Sequence, residues 1–292
     1  MTVMILGSEG QLGLALMNGR PKEADVVPLD MEVDITNPDA LKKAFAQHKP
    51  KVVVNAAAYT NVEGAEDDEM TALAVNGEAP GHIVELADEH GARMIQVSTD
   101  FVFDGKHHRP YTPEDEAAPL SVYGLSKLKG ERAVLASDGN HAVVRTSWLY
   151  FYYGNNFVQT MLRLFNERDE LTVVADQVGT PTSAITLAAL IWKMVAAEPE
   201  AMKGLWHYSD CGVASWYDFA VTIQGMAFAQ GLLQEPCTIL PVSSDEYPTK
   251  AHRPFYSVMD SSKTRERFEF PAIPWMMALR EVMAESVILP KK

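Results

Sequence analysis

The sequence predicts an α/β protein with a doubly wound parallel sheet and a smaller, partly intertwined C-terminal domain. In the first half of the chain, short apolar runs alternate with longer amphipathic runs, as expected where strands alternate with helices. The apolar runs are rich in Val, Ala and Ile with little polar alternation, which indicates strands buried on both faces. A glycine-rich turn follows the first run. Together these observations favour a parallel sheet covered by helices on both faces.

The apolar runs and the capping residues predict the elements of the first half. The predicted strands are Val3–Leu6, Val26–Leu29, Val52–Ala56, Arg93–Ser98 and Ala142–Thr146. The predicted helices are Gln11–Asn18, Pro38–His48, Ala72–His90 and Ser121–Ala136. Asn37 is the predicted N-cap of the second helix, with Pro38 at its first position. Gly91 follows the third helix, where it is suited to end it.

A glycine turn joins the first predicted strand to the first predicted helix. Gly7 suits a tight turn, Gly10 a close approach to a pyrophosphate, and Gly13 close packing of the helix. The following helix offers free N–H groups and a positive dipole end to that anion. Asp30, which ends the second strand, is the carboxylate expected to bind the adenosine ribose; it favours NADH but leaves the choice of NADPH or NADH open. A Rossmann-like dinucleotide-binding domain is therefore predicted, with a ligand-free glycine turn as the alternative.

The second half of the chain is less regular and dense in Pro and Gly. Its predicted helices are Asn156–Asn166, Thr186–Ala197, Ser215–Ala229 and Trp275–Ala284. We expect residues 1–150 to form the NAD(P)-binding domain and residues 151–292 to form mainly a substrate-binding domain. Some later segments are expected to return to the first domain, so the boundary near Tyr150 is soft.

A Tyr–Lys pair is the candidate for chemistry. Tyr123 and Lys127 are four residues apart, and therefore lie on one face of a predicted helix. A neighbouring ammonium lowers the pKa of a phenol, which can then protonate a carbonyl oxygen as hydride reaches the carbon. Ser98 and Thr99 end a predicted strand, at the sheet edge where ligands bind. A turn-capping role for these two hydroxyls stays open.

Charge and composition exclude several functions. The chain has 25 basic and 39 acidic residues and a net charge of −14, so no nucleic acid partner and no anionic membrane partner is expected. We expect a cytoplasmic protein, because no spanning run and no signal peptide is recognisable. Two cysteines, Cys211 and Cys237, predict neither a disulfide scaffold nor a zinc site. Because the expected ligands are polyanions, a locally positive cleft is predicted.

Several stretches match one branch of a known enzyme superfamily. They are residues 7–13, 54–60, 98–105, 123–131, 145–150, 154–157 and 176–182, together with Arg253-Pro254. On these motifs the chain resembles the extended short-chain dehydrogenase/reductases and, within them, the dTDP-4-dehydrorhamnose reductase family. The resemblance implies reduction of the C4 keto group of dTDP-4-dehydro-L-rhamnose to dTDP-L-rhamnose with NADPH or NADH. The implied partner is therefore a nucleotide-sugar substrate.

The resemblance also implies roles for individual residues. The implied catalytic residues are Thr99, Tyr123 and Lys127, with Tyr123 as the proton donor. The expected cofactor-binding residues are Gly7, Gly10, Gln11, Leu12, Gly13, Asp30, Asp34, Ile35, Ala58, Tyr59, Thr60, Tyr123 and Lys127. The expected substrate-binding residues are Thr99, Asp100, Trp148, Asn156 and Arg253. A guanidinium such as that of Arg253 suits a diphosphate.

Some positions leave alternatives open. Some family members form a magnesium-linked dimer through a carboxylate two residues after the third glycine, but Ala15 stands there, so no metal is expected. The chain is expected to be a monomer or a homodimer. Trp148 could be a core aromatic residue and Arg253 a surface ion pair. Two other functions also fit: a reductase of a different nucleotide-linked 4-keto-6-deoxysugar, or a non-catalytic NADP-binding regulatory subunit resembling that of methionine adenosyltransferase.

Overall fold

A computed structural model describes residues 1–288 of the chain. The strands are β1 (Thr2–Leu6), β2 (Asp25–Leu29), β3 (Val52–Asn55), β4 (Arg93–Thr99), β5 (Ala142–Thr146), β6 (Leu149–Tyr150), β7 (Glu170–Val174), β8 (Val178–Gly179), β9 (Thr182–Ser183), β10 (Gly204–His207), β11 (Ala214–Ser215) and β12 (Thr238–Val242). The helices are α1 (Gln11–Asn18), α2 (Pro38–His48), α3 (Val62–Ala65), α4 (Glu69–Leu73), α5 (Ala79–Glu89), α6 (Val122–Leu135), α7 (Phe157–Glu167), α8 (Ala184–Ala196), α9 (Pro199–Met202), α10 (Trp216–Ala229), α11 (Ser262–Arg267) and α12 (Trp275–Ile288).

Six parallel strands form the central sheet, in the order β10-β5-β4-β3-β1-β2. This arrangement confirms the predicted doubly wound parallel sheet. Strand β1 lies between β2 and β3. Successive strands are therefore placed first on one side of β1 and then on the other, so the strand order reverses at β1. The strand ends Leu6, Asn55, Thr99 and Thr146 share the carboxyl edge of the sheet. Ligands of such sheets bind outside this edge at the reversal point.

The side chains of Val3–Leu6 in β1 alternate between two hydrophobic layers, although all four are apolar. Val3 and Ile5 pack into the layer that contains α1 and α8. Met4 and Leu6 pack into the opposite layer, with α2 and α5. Burial on both faces removes every one of these side chains from water, which accounts for the absence of polar alternation in the sequence.

The C-terminal half contributes to both parts of the molecule. Strand β10 extends the central sheet beside β5, and α8 packs in the layer of α1. The other strands form small sheets, in which β7 pairs with β12, β8 with β11 and β6 with β9. A separate core forms around Tyr150, Phe219 and Trp275. The division into residues 1–150 and 151–292 stays a prediction, and residues 289–292 lie outside the described residues.

The predicted helices occur with small shifts, and one is interrupted. Asn37 caps α2 as predicted, because its Oδ1 accepts the N–H groups of Asp39 and Ala40 at 3.0 and 3.2 Å. The predicted helix Ala72–His90 begins at Glu69 instead and contains a π-helical turn at Ala74–Glu78. Such turns insert an extra residue and occur often at functional sites. Hydrophobic periodicity does not reveal them.

Candidate active site

A cleft of about 890 Å³ opens at the carboxyl edge of the sheet. It collects residues that are far apart in sequence from the glycine turn, the ends of β2 to β5, helix α6 and the C-terminal segment. Among the predicted site residues, those that line the cleft are Gly7, Gly10, Gln11, Leu12, Asp30, Asp34, Ile35, Ala58, Tyr59, Thr60, Thr99, Asp100, Tyr123, Lys127, Trp148, Asn156 and Arg253. Only Gly13, of the predicted set, is not among the lining residues.

The glycine turn is shaped by close backbone contacts. Gly7 has a φ of +79°, and a Cβ there would lie 2.6 Å from the amide nitrogen of Ala57. A Cβ on Gly13 would lie 2.2 Å from the carbonyl oxygen of Gly7, so Gly13 lets α1 begin directly against the turn. None of the described side chains caps α1, whose N-cap is Gly10. The open N–H groups of its first turn therefore fit the pyrophosphate of a dinucleotide cofactor.

The end of the cleft near β2 is acidic. The Asp30 carboxylate accepts the backbone N–H groups of Glu9 at 2.7 Å and of Met31 at 3.0 Å. Glu9 and Asp34 line the same end. Among the described residues that line the cleft, four side chains are acidic and two, Lys127 and Arg253, are basic. The locally positive cleft stays a prediction, and attraction of phosphate there depends on the N-terminus of α1 and on these two cations.

Lys127 and Tyr123 project from one turn of α6. Ser121 caps this helix, its Oγ accepting the Gly124 N–H at 3.2 Å. The buried Lys127 Nζ donates to the Val97 carbonyl oxygen at 2.7 Å. Burial lowers the pKa of Lys127 to about 8, against the opposing effect of the Glu131 carboxylate. Lys127 is thus held at the end of β4, beside the cleft.

The acidity of Tyr123 differs from the prediction. Burial raises its pKa to about 12, the hydrogen bond with Thr99 opposes that shift, and the Asp100 charge adds to it. The Lys127 ammonium, which donates to the Val97 carbonyl oxygen, does not offset this effect of burial on the Tyr123 pKa. The expected lowering of the Tyr123 pKa is therefore wrong. Tyr123 is protonated at neutral pH and can act as an acid.

The hydroxyl residues at the end of β4 separate into two roles. Ser98 Oγ donates to buried Glu131 rather than to the cleft. Thr99 Oγ1 donates to Asp100 Oδ1 at 3.1 Å and accepts the Phe101 N–H at 3.2 Å, so it caps a turn and still lines the cleft. The turn-capping role is therefore present in Thr99, and a hydrogen bond from Thr99 to a substrate stays a prediction.

Two buried oxygen atoms of the cleft lack partners. Asp100 Oδ2 and Thr146 Oγ1 have no hydrogen-bond partner within residues 1–288. Burial raises the pKa of Asp100 to about 6, although the neighbouring Ser257 and Thr99 hydroxyls act to lower it. Unpaired polar atoms are costly in a protein interior, and they are commonly satisfied by a ligand or water. They fit a hydroxyl-rich ligand such as a sugar; Thr146 was not predicted, since only its position at a strand end marks it.

A buried ion pair joins α6 to β5. The Glu131 carboxylate accepts Arg145 Nε at 2.9 Å and Nη2 at 2.7 Å. The Arg145 guanidinium also lies 5.0 Å from the centre of the Phe103 ring. His207 Nδ1 donates to the Tyr111 carbonyl oxygen at 3.0 Å, and burial lowers the pKa of His207 to about 3, so this imidazole is neutral. The network joins α6, which carries Lys127, to β5 and to Ser98 on β4. It therefore holds the backbone of these elements in place.

The π-helical turn positions the loop Ala58–Thr60. Asn76 Oδ1 accepts the Tyr59 N–H at 2.9 Å, and its Nδ2 donates to the Tyr59 carbonyl oxygen at 3.0 Å. The same Nδ2 reaches Ser126 Oγ on α6 at 3.1 Å. Asn76 therefore joins a cofactor-side loop to the helix that carries Tyr123. Sequence reasoning missed Asn76, whose only signal is an amide in an otherwise apolar stretch.

Two indole rings form a stack beside the cleft. The ring centres of Trp148 and Trp216 are 3.6 Å apart, and the angle between the ring planes is 4°. The backbone of Trp148 has a φ of +47°. Both residues line the cleft, so Trp148 is a cleft residue and not only a core aromatic. A strained backbone conformation of this kind persists where the surrounding contacts impose it.

Asn156 acts as a helix cap and a link to the glycine turn. Its Oδ1 accepts the Gln159 N–H at 3.1 Å at the start of α7, and its Nδ2 donates to Gln11 Oε1 at 3.0 Å. Nearby, the Tyr152 hydroxyl accepts Asn18 Nδ2 at 2.8 Å. The aromatic loop 151–153 thus fastens the second half of the chain to α1.

Sheet order, glycine turn and Tyr–Lys helix together define a Rossmann-type oxidoreductase that uses a nicotinamide cofactor. The family model described as RmlD substrate binding domain matches residues 1–288, and the chain belongs to this family. A dTDP-4-dehydrorhamnose reductase from Aggregatibacter actinomycetemcomitans is 39% identical, with 97% of this chain and 98% of that protein covered. These relatives do not favour the regulatory-subunit alternative.

Solved structures give the same result. A dTDP-4-dehydrorhamnose reductase from Clostridium acetobutylicum has a TM-score of 0.90 at 39% identity, covering 98% of this chain and 99% of that one. The Bacillus anthracis enzyme of that name, in complex with NADP, has a TM-score of 0.90 at 36% identity, covering 97% of this chain and 99% of that one. No helix within residues 1–288 is both long enough and apolar enough to cross a membrane.

Proposed function

We propose that this protein reduces the C4 keto group of dTDP-4-dehydro-L-rhamnose to dTDP-L-rhamnose in nucleotide-sugar biosynthesis. The observation that carries the proposal is that Thr99, Asp100, Tyr123 and Lys127 line the same cleft as the glycine turn. The family of the chain and the names of its relatives support the substrate. Free thiols at Cys211 and Cys237 suit the reducing cytoplasm, where we place the reaction.

The side chains of the cleft support a proton-donor mechanism. A bound reduced nicotinamide cofactor would supply the hydride to C4 of the sugar. Tyr123 is protonated at neutral pH and donates its proton to the C4 oxygen as negative charge develops there. Thr99 lines the cleft beside Tyr123, and its hydroxyl can orient that oxygen if its proton turns from Asp100 to the substrate. The Lys127 ammonium stabilises the phenolate left on Tyr123, and the free Asp100 Oδ2 can accept a sugar hydroxyl.

We infer that NADH is preferred to NADPH. The Asp30 carboxylate is fixed by the Glu9 and Met31 N–H groups at the end of the cleft expected to hold the adenosine ribose. Glu9 and Asp34 add acidic side chains there, and a 2′-phosphate would be repelled. We expect a higher kcat/KM with NADH than with NADPH, and Asp30→Ala should narrow the difference. Equal kcat/KM values for the two cofactors in the parent protein would contradict the inference.

The function is tested by turnover with the purified full-length protein. We expect oxidation of NADH only when dTDP-4-dehydro-L-rhamnose is present, with dTDP-L-rhamnose identified by NMR. Tyr123→Phe should reduce kcat by at least about a hundredfold, because general acid catalysis contributes that much, and its effect on the affinity for NADH should be much smaller. NADH binding without turnover would favour a regulatory role, and faster turnover of another nucleotide-linked 4-keto-6-deoxysugar would favour the sibling activity.

A further inference from the structure

Residues 250–253, which we call the strap, are fastened to the short helix α3. Glu63 on α3 uses both of its carboxylate oxygens. Its Oε2 accepts the backbone N–H groups of Lys250 at 2.8 Å and Ala251 at 3.3 Å. Its Oε1 accepts Arg253 Nη2 at 2.8 Å. A second ion pair joins Lys250 to Asp67. The strap therefore lies against α3 through contacts between residues almost 190 positions apart in sequence.

Helix α3 is connected to the elements that carry the predicted catalytic residues. It follows the loop Ala58–Thr60, and its N-cap Asn61 accepts the Gly64 N–H at 2.9 Å. Directly after α3, Glu66 Oε1 accepts the N–H of Val122, the first residue of α6, at 2.8 Å. Glu63 thus stands on an element tied to the helix that carries Tyr123.

Arg253 contributes a guanidinium to the lining of the cleft. Its Nε is buried and has no hydrogen-bond partner in the described part of the chain, and the residue lines the cleft. The other cation of the lining, Lys127, is engaged by the Val97 carbonyl oxygen next to the reacting end. A guanidinium carries five N–H donors, so it can bind phosphate oxygen while one of its nitrogens is held by a carboxylate. Arg253 is therefore the cation available for an anionic part of the substrate.

We propose that Glu63 is a positioning residue that holds the Arg253 guanidinium so that its remaining N–H groups bind the diphosphate of the nucleotide-sugar substrate. This inference rests on the proposed function. An arginine side chain without a partner loses conformational entropy when it binds a ligand. Because Glu63 already restricts the Arg253 side chain, less entropy is lost when the ligand binds. A carboxylate could instead weaken phosphate binding by repulsion. Its engagement by two backbone N–H groups and by Nη2 reduces that effect, and of the Arg253 nitrogens Glu63 holds Nη2.

The experiment measures binding of dTDP and of thymidine to the full-length protein by calorimetry. Only dTDP carries the diphosphate. For Glu63→Ala we expect the Kd for dTDP to rise about tenfold, which corresponds to about 1.4 kcal/mol, with the Kd for thymidine unchanged. Glu63→Gln should show a smaller rise, because its amide oxygen can still accept from Arg253. In turnover, the KM for the nucleotide sugar should rise in both variants while kcat stays close to that of the parent.

Asp67→Asn is the matched control, because it removes an ion pair of the strap without touching Arg253. It should leave the Kd for dTDP unchanged. The proposal is overturned if both Glu63 variants bind dTDP as well as or better than the parent, or if Asp67→Asn weakens binding equally. If Glu63→Ala fails to fold, the Glu63→Gln result decides. A parent protein that binds neither dTDP nor the keto sugar would contradict the proposed function itself.

Discussion

Replacement of Asp100 by Asn is expected to stabilise the protein at pH 7 while lowering its activity. Asp100 is 1% exposed, its Oδ2 has no partner within residues 1–288, and burial raises its pKa from 3.8 to about 6. That shift corresponds to a cost of about 3 kcal/mol in the free energy of unfolding at pH 7. The neutral amide of the variant avoids this cost. Its Nδ2 has no hydrogen-bond partner, however, and this lowers the free energy of unfolding by about 1–2 kcal/mol. We therefore expect the free energy of unfolding of the variant to exceed that of the parent by about 1–2 kcal/mol at pH 7.

The pH dependence of this gain has a definite sign. Because the folded pKa lies above the unfolded value, the cost of ionising Asp100 is fully present above about pH 6 and is lost as the pH falls towards 3.8. The advantage of Asp100→Asn should therefore shrink between pH 7 and pH 4, where the parent becomes the more stable protein. Urea unfolding followed by circular dichroism at several pH values measures both free energies. In thermal unfolding a gain of 1–2 kcal/mol corresponds to about 2–3 °C for a chain of this length.

Asp104→Asn provides a control of opposite sign. Asp104 accepts the Lys106 N–H at 3.1 Å and the Tyr111 hydroxyl at 3.0 Å, and although burial acts to raise its pKa, these hydrogen bonds keep the pKa below its usual value. The Asp104 variant should be less stable than the parent at pH 7. The reasoning would be refuted if Asp100→Asn were no more stable than the parent at pH 7, or if its effect did not change with pH.

Three further predictions concern the surroundings of the site. Glu131→Gln leaves the buried Arg145 guanidinium without an anion and should lower the free energy of unfolding by about 3–5 kcal/mol in urea. The double variant with Arg145→Met should recover part of this loss, and a still less stable double variant would contradict the explanation. Because burial lowers the pKa of Lys127 to about 8, kcat/KM should fall as the pH rises through that value and the ammonium is lost; a profile without a basic limb would contradict the role of Lys127. Gly13→Ala places a Cβ 2.2 Å from the Gly7 carbonyl oxygen, so both the melting temperature and the affinity for NADH should fall, and an unchanged affinity would show that the turn tolerates the shift.

Much of the fold follows from local signals in the first half of the chain. The apolar runs of β1 and β3 to β5, the N-caps Asn37 and Ser121, and the glycine turn are each determined by residues close together in sequence. The second half was less predictable. Strand β12 contains Pro241, which ordinarily argues against a strand, and its partner β7 lies almost 70 residues earlier. Such pairings depend on tertiary contacts that periodicity does not show.

The candidate site shows the same division. Sequence motifs indicated Tyr123, Lys127 and Thr99, and the structure places all three at one cleft. The residues that position them were missed, because their partners are backbone groups brought together by folding. Asn76 binds the Tyr59 backbone, and Glu63 binds the backbone of the strap. The direction of the Tyr123 pKa shift was also missed, since the burial that decides it is a property of the folded protein.

The position of β10 has a consequence for how the chain reaches this structure during synthesis. Strand β5 ends at Thr146, but β10, which pairs with its outer edge, is complete only at His207. At translation rates of about 5–20 residues per second, that edge waits about 3–12 s for its neighbour. An unpaired apolar strand edge is a template for association with other chains. The nascent protein therefore passes through an interval in which a chaperone bound at β5 would protect it from aggregation, and a fragment ending near residue 150 would keep this exposed edge permanently.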